Sequence, residues 1–138
     1  MFVEQQSESV VTPEFKQKLG SLFVYLKKVL PIKSIPKVKL VYNIKNSKDI
    51  LGKTGNYDHK TDTIHLYVIG RHPKDVLRSF AHEVVHKSQH DNNLFNIRNE
   101  HDTSPGYAQR NKNLRMAESD AYQRGSLTFR DWEDFLKK

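Results

Sequence analysis

The reading of this chain turns on Ser79-Phe80-Ala81-His82-Glu83-Val84-Val85-His86-Lys87. Around it, Val76, Leu77, Phe80, Ala81, Val84 and Val85 recur at helical spacing, and Pro73 suits a first helical turn. The pattern predicts a helix from Pro73 to about His90. On that helix His82 and His86 are separated by a turn of about 40° and a climb of about 6 Å, so both imidazoles project from one face. Two neutral imidazole nitrogens can then reach one divalent ion at roughly 2 Å each. Glu83 is rotated by about 100° and borders the ion without ligating it. There it can take a proton from an attacking water and pass it to a leaving amine. Zinc in such a site brings the pKa of water from near 16 to roughly 7, which suits hydrolysis at neutral pH. The plainer alternative is a helix whose two histidines only hydrogen-bond at the surface. Val84 and Val85 argue against it, because they anchor the helix while the histidines face a cleft.

Outward from this helix, the chain reads as α+β. Residues 1–11 are polar and aperiodic and are expected to form a flexible tail, with a single domain over 12–138. Thr12-Pro13-Glu14 looks like a helix start, and Phe15, Leu19, Leu22, Phe23, Leu26 and Leu30 follow at helical spacing until Pro31. Val38 to Ile44 alternates loosely and reads as a strand. Gly55–Asp58 and Thr63–Val68 flank the polar turn His59-Lys60-Thr61-Asp62 as a β-hairpin. The hairpin's second strand is expected to be the edge on which an extended peptide pairs. Asp91 to Asn111 lacks a period, contains Pro105-Gly106 and reads as a long loop. One helix is expected from about Asn113 to Arg124, ended or bent by Gly125, and a last amphipathic helix beyond Ser126. These elements predict a small antiparallel or mixed sheet flanked by helices.

The chain has 138 residues and no cysteine, which excludes a disulfide framework, a thiolate zinc site and a cysteine nucleophile. No signal peptide and no membrane-spanning run is visible, so a cytoplasmic setting without membrane contact is expected. Lysine and arginine number 23 against 16 acidic residues, a formal charge of +7. That surplus would draw the protein toward anions such as nucleic acid. The lysines are nevertheless spread out, and no aromatic-in-basic signature of an RNA-binding sheet accompanies them. A solvated lysine-rich surface is the simpler account.

A catalytic zinc needs a third protein ligand and an open position. His90 extends the histidine series, but on a straight helix its Cα lies about 12 Å from that of His82. The metzincin pattern would need glycine at position 89 and histidine at position 92, where Gln89 and Asn92 stand. His101, in Glu100-His101-Asp102, resembles the loop histidine of the SprT/Spartan DNA-associated metalloproteases, without their histidine-glycine-proline context. Glu118, in Met116-Ala117-Glu118-Ser119-Asp120-Ala121-Tyr122, resembles the gluzincin arrangement. There a downstream helix presents Glu-x-x-Ala and its glutamate is the third ligand; Tyr122 stands where those enzymes often carry an aspartate. Asp120 is rotated about 200° from Glu118, so only one of the two can face the ion.

From Arg71 onward, Ala81–His86, Gly106-Tyr107-Ala108-Gln109 and Phe129-Arg130-Asp131-Trp132-Glu133-Asp134 resemble small zincin-like proteins encoded by tailed phages of marine bacteria. The resemblance implies a minimal gluzincin fold and a setting in the infected host's cytoplasm or the virion. The first functional expectation is therefore a zinc metallopeptidase acting on a peptide or protein, with zinc on His82, His86 and Glu118 and with Glu83 as base, then acid. Tyr107, Tyr122 and His101, and an arginine such as Arg110, are candidates for binding substrate or its oxyanion. The second is a SprT-like protease on DNA-bound proteins, with His101 as third ligand. The third is a non-catalytic zinc-binding phage scaffold or interaction protein. His59, His65 and His72 have no ligand partner at useful spacing, and Phe129 and Trp132 read as core.

Overall fold

A computed structural model describes residues 2–5, 11–48, 54–96 and 107–137. The first helix, α1 (Pro13–Val29), begins where a hydroxyl can satisfy an orphan amide: Thr12 Oγ1 accepts from the Phe15 N–H at 3.1 Å. Its stripe of Phe15, Leu19, Leu22, Phe23 and Leu26 is buried. It closes at Leu30, immediately before the proline that cannot continue it.

Four strands form a small mixed open sheet. They are β1 (Phe2–Gln5), β2 (Lys37–Val41), β3 (Gly55–Asp58) and β4 (Thr63–Tyr67), in the order β1-β2-β4-β3. β1 and β4 both run parallel to β2, and β3 runs antiparallel to β4. Alternation puts Val38 and Leu40 of β2, and Ile64 and Leu66 of β4, into the core with no exposed surface. Between β2 and β3 lies a single helical turn, α2 (Ile44–Ser47), capped by Asn43. The long helix α3 (Pro73–Asp91) packs on β3 and β4 and against α1. It buries Val76, Leu77, Phe80, Ala81, Val84 and Val85, and α4 (Tyr107–Leu136) crosses its other side. The architecture is α+β, and among the described residues no helix is long and apolar enough to cross a membrane.

Five sequence expectations change, the first being that the long loop expected from Asp91 to Asn111 holds the end of α3 and, from Tyr107, the start of α4. Phe2–Gln5, expected within a flexible tail, is a strand, because its backbone finds the open edge of β2. Ile44, expected at the end of a strand, opens α2 once Asn43 caps that turn. β4, expected at the edge, is interior, since it pairs β2 on one side and β3 on the other; β3 is the edge beside α3. The two expected C-terminal helices are one, α4, with Gly125 inside it. His101, Pro105 and Gly106 lie outside the described residues.

Gly125 is there for proximity. A Cβ built on it would stand 3.1 Å from His82 Cα and 3.3 Å from His82 N, atoms of the neighbouring backbone. Ala117, Ala121 and Gly125 are all buried on the face of α4 that meets α3, so the two axes approach closely. Gly125→Val should push the helices apart and lower stability by about 1–3 kcal/mol. A urea midpoint equal to that of the wild type would show that α3 gives way freely.

A buried ammonium ties the hairpin to α3. Lys87 has no exposed surface, and its Nζ donates to Asp62 Oδ1 at 2.7 Å, Asp91 Oδ2 at 3.0 Å and Ser34 Oγ at 2.9 Å. Asp62 occupies the β3–β4 turn at φ 52°, a left-handed conformation that aspartate tolerates. It also accepts from Ser34 Oγ at 2.5 Å and Tyr57 OH at 2.8 Å.

Candidate metal centre

His82 and His86 stand one turn apart in the middle of α3, on the side facing α4. The close crossing at Gly125 holds α4 near enough for Glu118 to reach between them. His82 Nε2 lies 2.6 Å from Glu118 Oε1, and His86 Nε2 lies 3.2 Å from Oε2 and 3.3 Å from Oε1. Ligand atoms of the three residues all fall within 4.8 Å of one another, a group able to hold a metal ion. Two imidazole nitrogens and one carboxylate oxygen are the donors expected around a borderline-soft divalent cation with an open position. The site is shallow: the two imidazoles are each 16% exposed and the Glu118 side chain 51%. Hydrogen bonds to His82 and His86 hold the Glu118 carboxyl well below the usual carboxylate range. Burial works against the charge of His86, but the Glu118 hydrogen bond and the Glu83 charge outweigh it and push its pKa up.

Glu83 points away from α4, toward the sheet. Its carboxylate accepts the Tyr57 backbone N–H, and a Cβ on Gly55 would stand 3.2 Å from Glu83 Cγ. The glycine in β3 thus makes room for the glutamate. Burial pushes the Glu83 carboxyl up, against the pull of the two imidazoles. A carboxylate at the edge of a metal group, raised in pKa and itself outside the ligand set, fits a proton-transfer role.

The structure brings His82, His86 and Glu118 together, with Glu83 beside them. Tyr122 also arrives, with its ring 4.5 Å from that of His82. Tyr107 and Arg110 lie in the first turns of α4. His90 stacks on His59 at 4.5 Å instead of joining the ligands, His72 caps α3 through Nδ1 to the Lys74 N–H, and Phe129 and Trp132 are core. Sequence reasoning missed the chain of contacts that reaches His86 from Arg124 through Asp120 and Gln89, and the part played by β3. A glutamine three places after a ligand histidine, on the same helical face, was the available signal.

Of the clefts that border these three side chains, two lie toward the sheet. One of about 470 Å³ is lined by Thr54, Arg71, Ser79, His82, Tyr122 and Ser126. The other, of about 180 Å³, is lined by Asn56, Tyr57, His86, His90, Leu114 and Glu118. Thr54, just before β3, borders the first, and Asn56 and Tyr57 of β3 the second, so the chain entering β3 leads from one cleft toward the other past Glu83. A further cavity of about 480 Å³ between α1 and the C-terminal part of α4 contains none of these groups. Comparison with known proteins finds no matching family model, no matching curated protein and no matching solved structure.

Proposed function

We propose that this chain is a zinc-dependent metallopeptidase of gluzincin type, with His82, His86 and Glu118 as ligands and Glu83 as general base and then general acid. The observation that carries the reading is the convergence of those three side chains from two helices, with a buried fourth carboxylate beside them. A ligand set of two histidines and one carboxylate leaves a coordination position open, whereas structural zinc sites close with four protein ligands. Zinc held there would supply a Lewis acid and lower the pKa of a water at neutral pH. Glu83 would remove that water's proton and return it to the departing amine, its carboxylate aimed by the Tyr57 N–H. The edge strand β3 favours an extended peptide as substrate, since such a chain can lie along β3 at the second cleft and along Thr54 toward the first. Of the candidate substrate contacts, Tyr122 lies against His82.

The placement of Glu118 favours the gluzincin reading over the SprT-like one. Replacing Glu118 and His101 separately by alanine, then measuring zinc per chain, tests the choice. Glu118→Ala should lose affinity well beyond the roughly 10–100-fold that removal of an outer partner costs, and His101→Ala should bind as the wild type does. The reverse pattern would hand the third position to His101.

A further inference from the structure

His86 has two ring nitrogens, and only one of them faces Glu118. Nε2 is the one near that carboxylate, while Nδ1 lies 2.9 Å from Gln89 Oε1. The direction of the Gln89 amide follows from its other contacts. Its nitrogen stands 2.8 Å from the Ala117 carbonyl oxygen and 2.8 Å from Asp120 Oδ2. Both are acceptors, so they take the two hydrogens of the amide and leave its oxygen to the histidine. An amide oxygen only accepts, hence His86 Nδ1 carries a hydrogen. Asp120 is itself fixed, because Arg124 donates to Oδ1 from Nε at 2.8 Å and to Oδ2 from Nη2 at 2.7 Å. Gln89 has no exposed surface, so solvent cannot replace either partner.

We infer that Gln89 is a positioning residue for the metal, holding His86 as the Nδ1–H tautomer with the Nε2 lone pair toward the ion, and that Asp120 and Arg124 set the direction of its amide. The inference rests on the metallopeptidase reading only in that an ion must bind at His82, His86 and Glu118. The hydrogen bond made by one ring nitrogen decides which other nitrogen is offered to a metal, and it fixes the plane of the ring. Through the Ala117 carbonyl, the same amide also grips α4 one residue before Glu118. A single buried glutamine therefore sets the aim of one ligand and the distance of another.

The test uses the full chain, with zinc alone as probe in competition with a chromophoric chelator and with circular dichroism to establish folding. Gln89→Met removes the acceptor at similar volume and should weaken zinc binding roughly 10–100-fold in a folded protein. Gln89→Glu keeps an oxygen for His86 but sets carboxylate lone pairs against Asp120 and the Ala117 carbonyl, so it too should bind weakly. Adding Asp120→Asn to Gln89→Glu returns the net charge to that of the wild type and sets a donor opposite the new carboxylate, at the cost of the Arg124 Nη2 contact, so part of the affinity should return. Each variant's melting temperature is measured alongside, since a packing role alone would move zinc affinity only together with stability. Folded Gln89→Met with wild-type zinc affinity overturns the inference, as does a double variant no tighter than Gln89→Glu. Should Gln89→Met fail to fold, the Gln89→Glu pair decides. A wild-type chain that takes up no zinc is a different result: it removes the metallopeptidase reading and this inference with it.

Discussion

Glu83→Gln should leave zinc uptake intact and lower peptide hydrolysis by about 10²–10⁴-fold, the range that a positioned acid–base group contributes. The substitution is selective because the position tolerates it sterically. Glutamine has the size of glutamate, so the gap opened by Gly55 still fits, and its oxygen still accepts the Tyr57 N–H. Only the capacity to take a proton is lost. The His82, His86 and Glu118 group is untouched, since Glu83 lies outside it. Cleavage of a mixed peptide library, followed by mass spectrometry alongside zinc content, measures both halves. A variant that cleaves at the wild-type rate would remove Glu83 from the chemistry. Stoichiometric zinc without cleavage of any peptide by the wild type would instead favour a scaffold that retains an ion without turnover.

How far the sequence leads to this site depends on the range of each interaction. His82, Glu83 and His86 are legible because helical spacing is local: the face they share follows from 3.6 residues per turn. α1 is legible for the same reason, with a capping threonine and a proline to open it. The meeting of Glu118 with the two imidazoles is tertiary, and only the resemblance of its Glu-x-x-Ala context to a known arrangement singles it out. Gly125 misleads, because glycine inside a helix costs about 1 kcal/mol and so reads as an ending. What it permits is contact with the backbone of His82, and that depends on a partner helix the local pattern does not contain. The neighbouring Ala117 and Ala121, two turns and one turn before it, are the visible counterpart. β1 is illegible because four residues in an aperiodic run acquire their structure from a distant strand. Adjacency to α3 in the chain makes β4 look like the edge. The pairing order gives it to β3, whose Gly55 and Tyr57 then serve Glu83.

Lys87→Met should destabilise the fold by about 3–5 kcal/mol, the cost of breaking a buried ion pair from one side. The methionine fills the space, so the loss is electrostatic more than steric. Asp62 and Asp91, with side chains 31% and 13% exposed, would then face each other without the cation between them. On a domain whose whole stability is of order 5–15 kcal/mol, the melting temperature should fall by on the order of 10 °C or more. Asp62 adds a dependence on pH. Partial burial pushes its carboxyl up, but hydrogen bonds from Lys87, Ser34 and Tyr57 outweigh this and hold it below the ordinary range. A depressed folded pKa means that the stabilisation is present above the unfolded carboxylate value and is lost as pH falls through the folded one. The wild type should therefore lose stability on acidification through that window, and Asp62→Asn should flatten the loss. Combining Lys87→Met with Asp62→Asn and Asp91→Asn removes the stranded charges and should recover part of the melting temperature. Equal melting of Lys87→Met and wild type would mean that water reaches the two carboxylates and the cluster is not the clamp described. If the clamp is real, its consequence reaches the metal group. Lys87 follows His86 directly, and Asp62 holds the hairpin whose Tyr57 N–H aims Glu83, so loosening one contact should also blur the placement of the base.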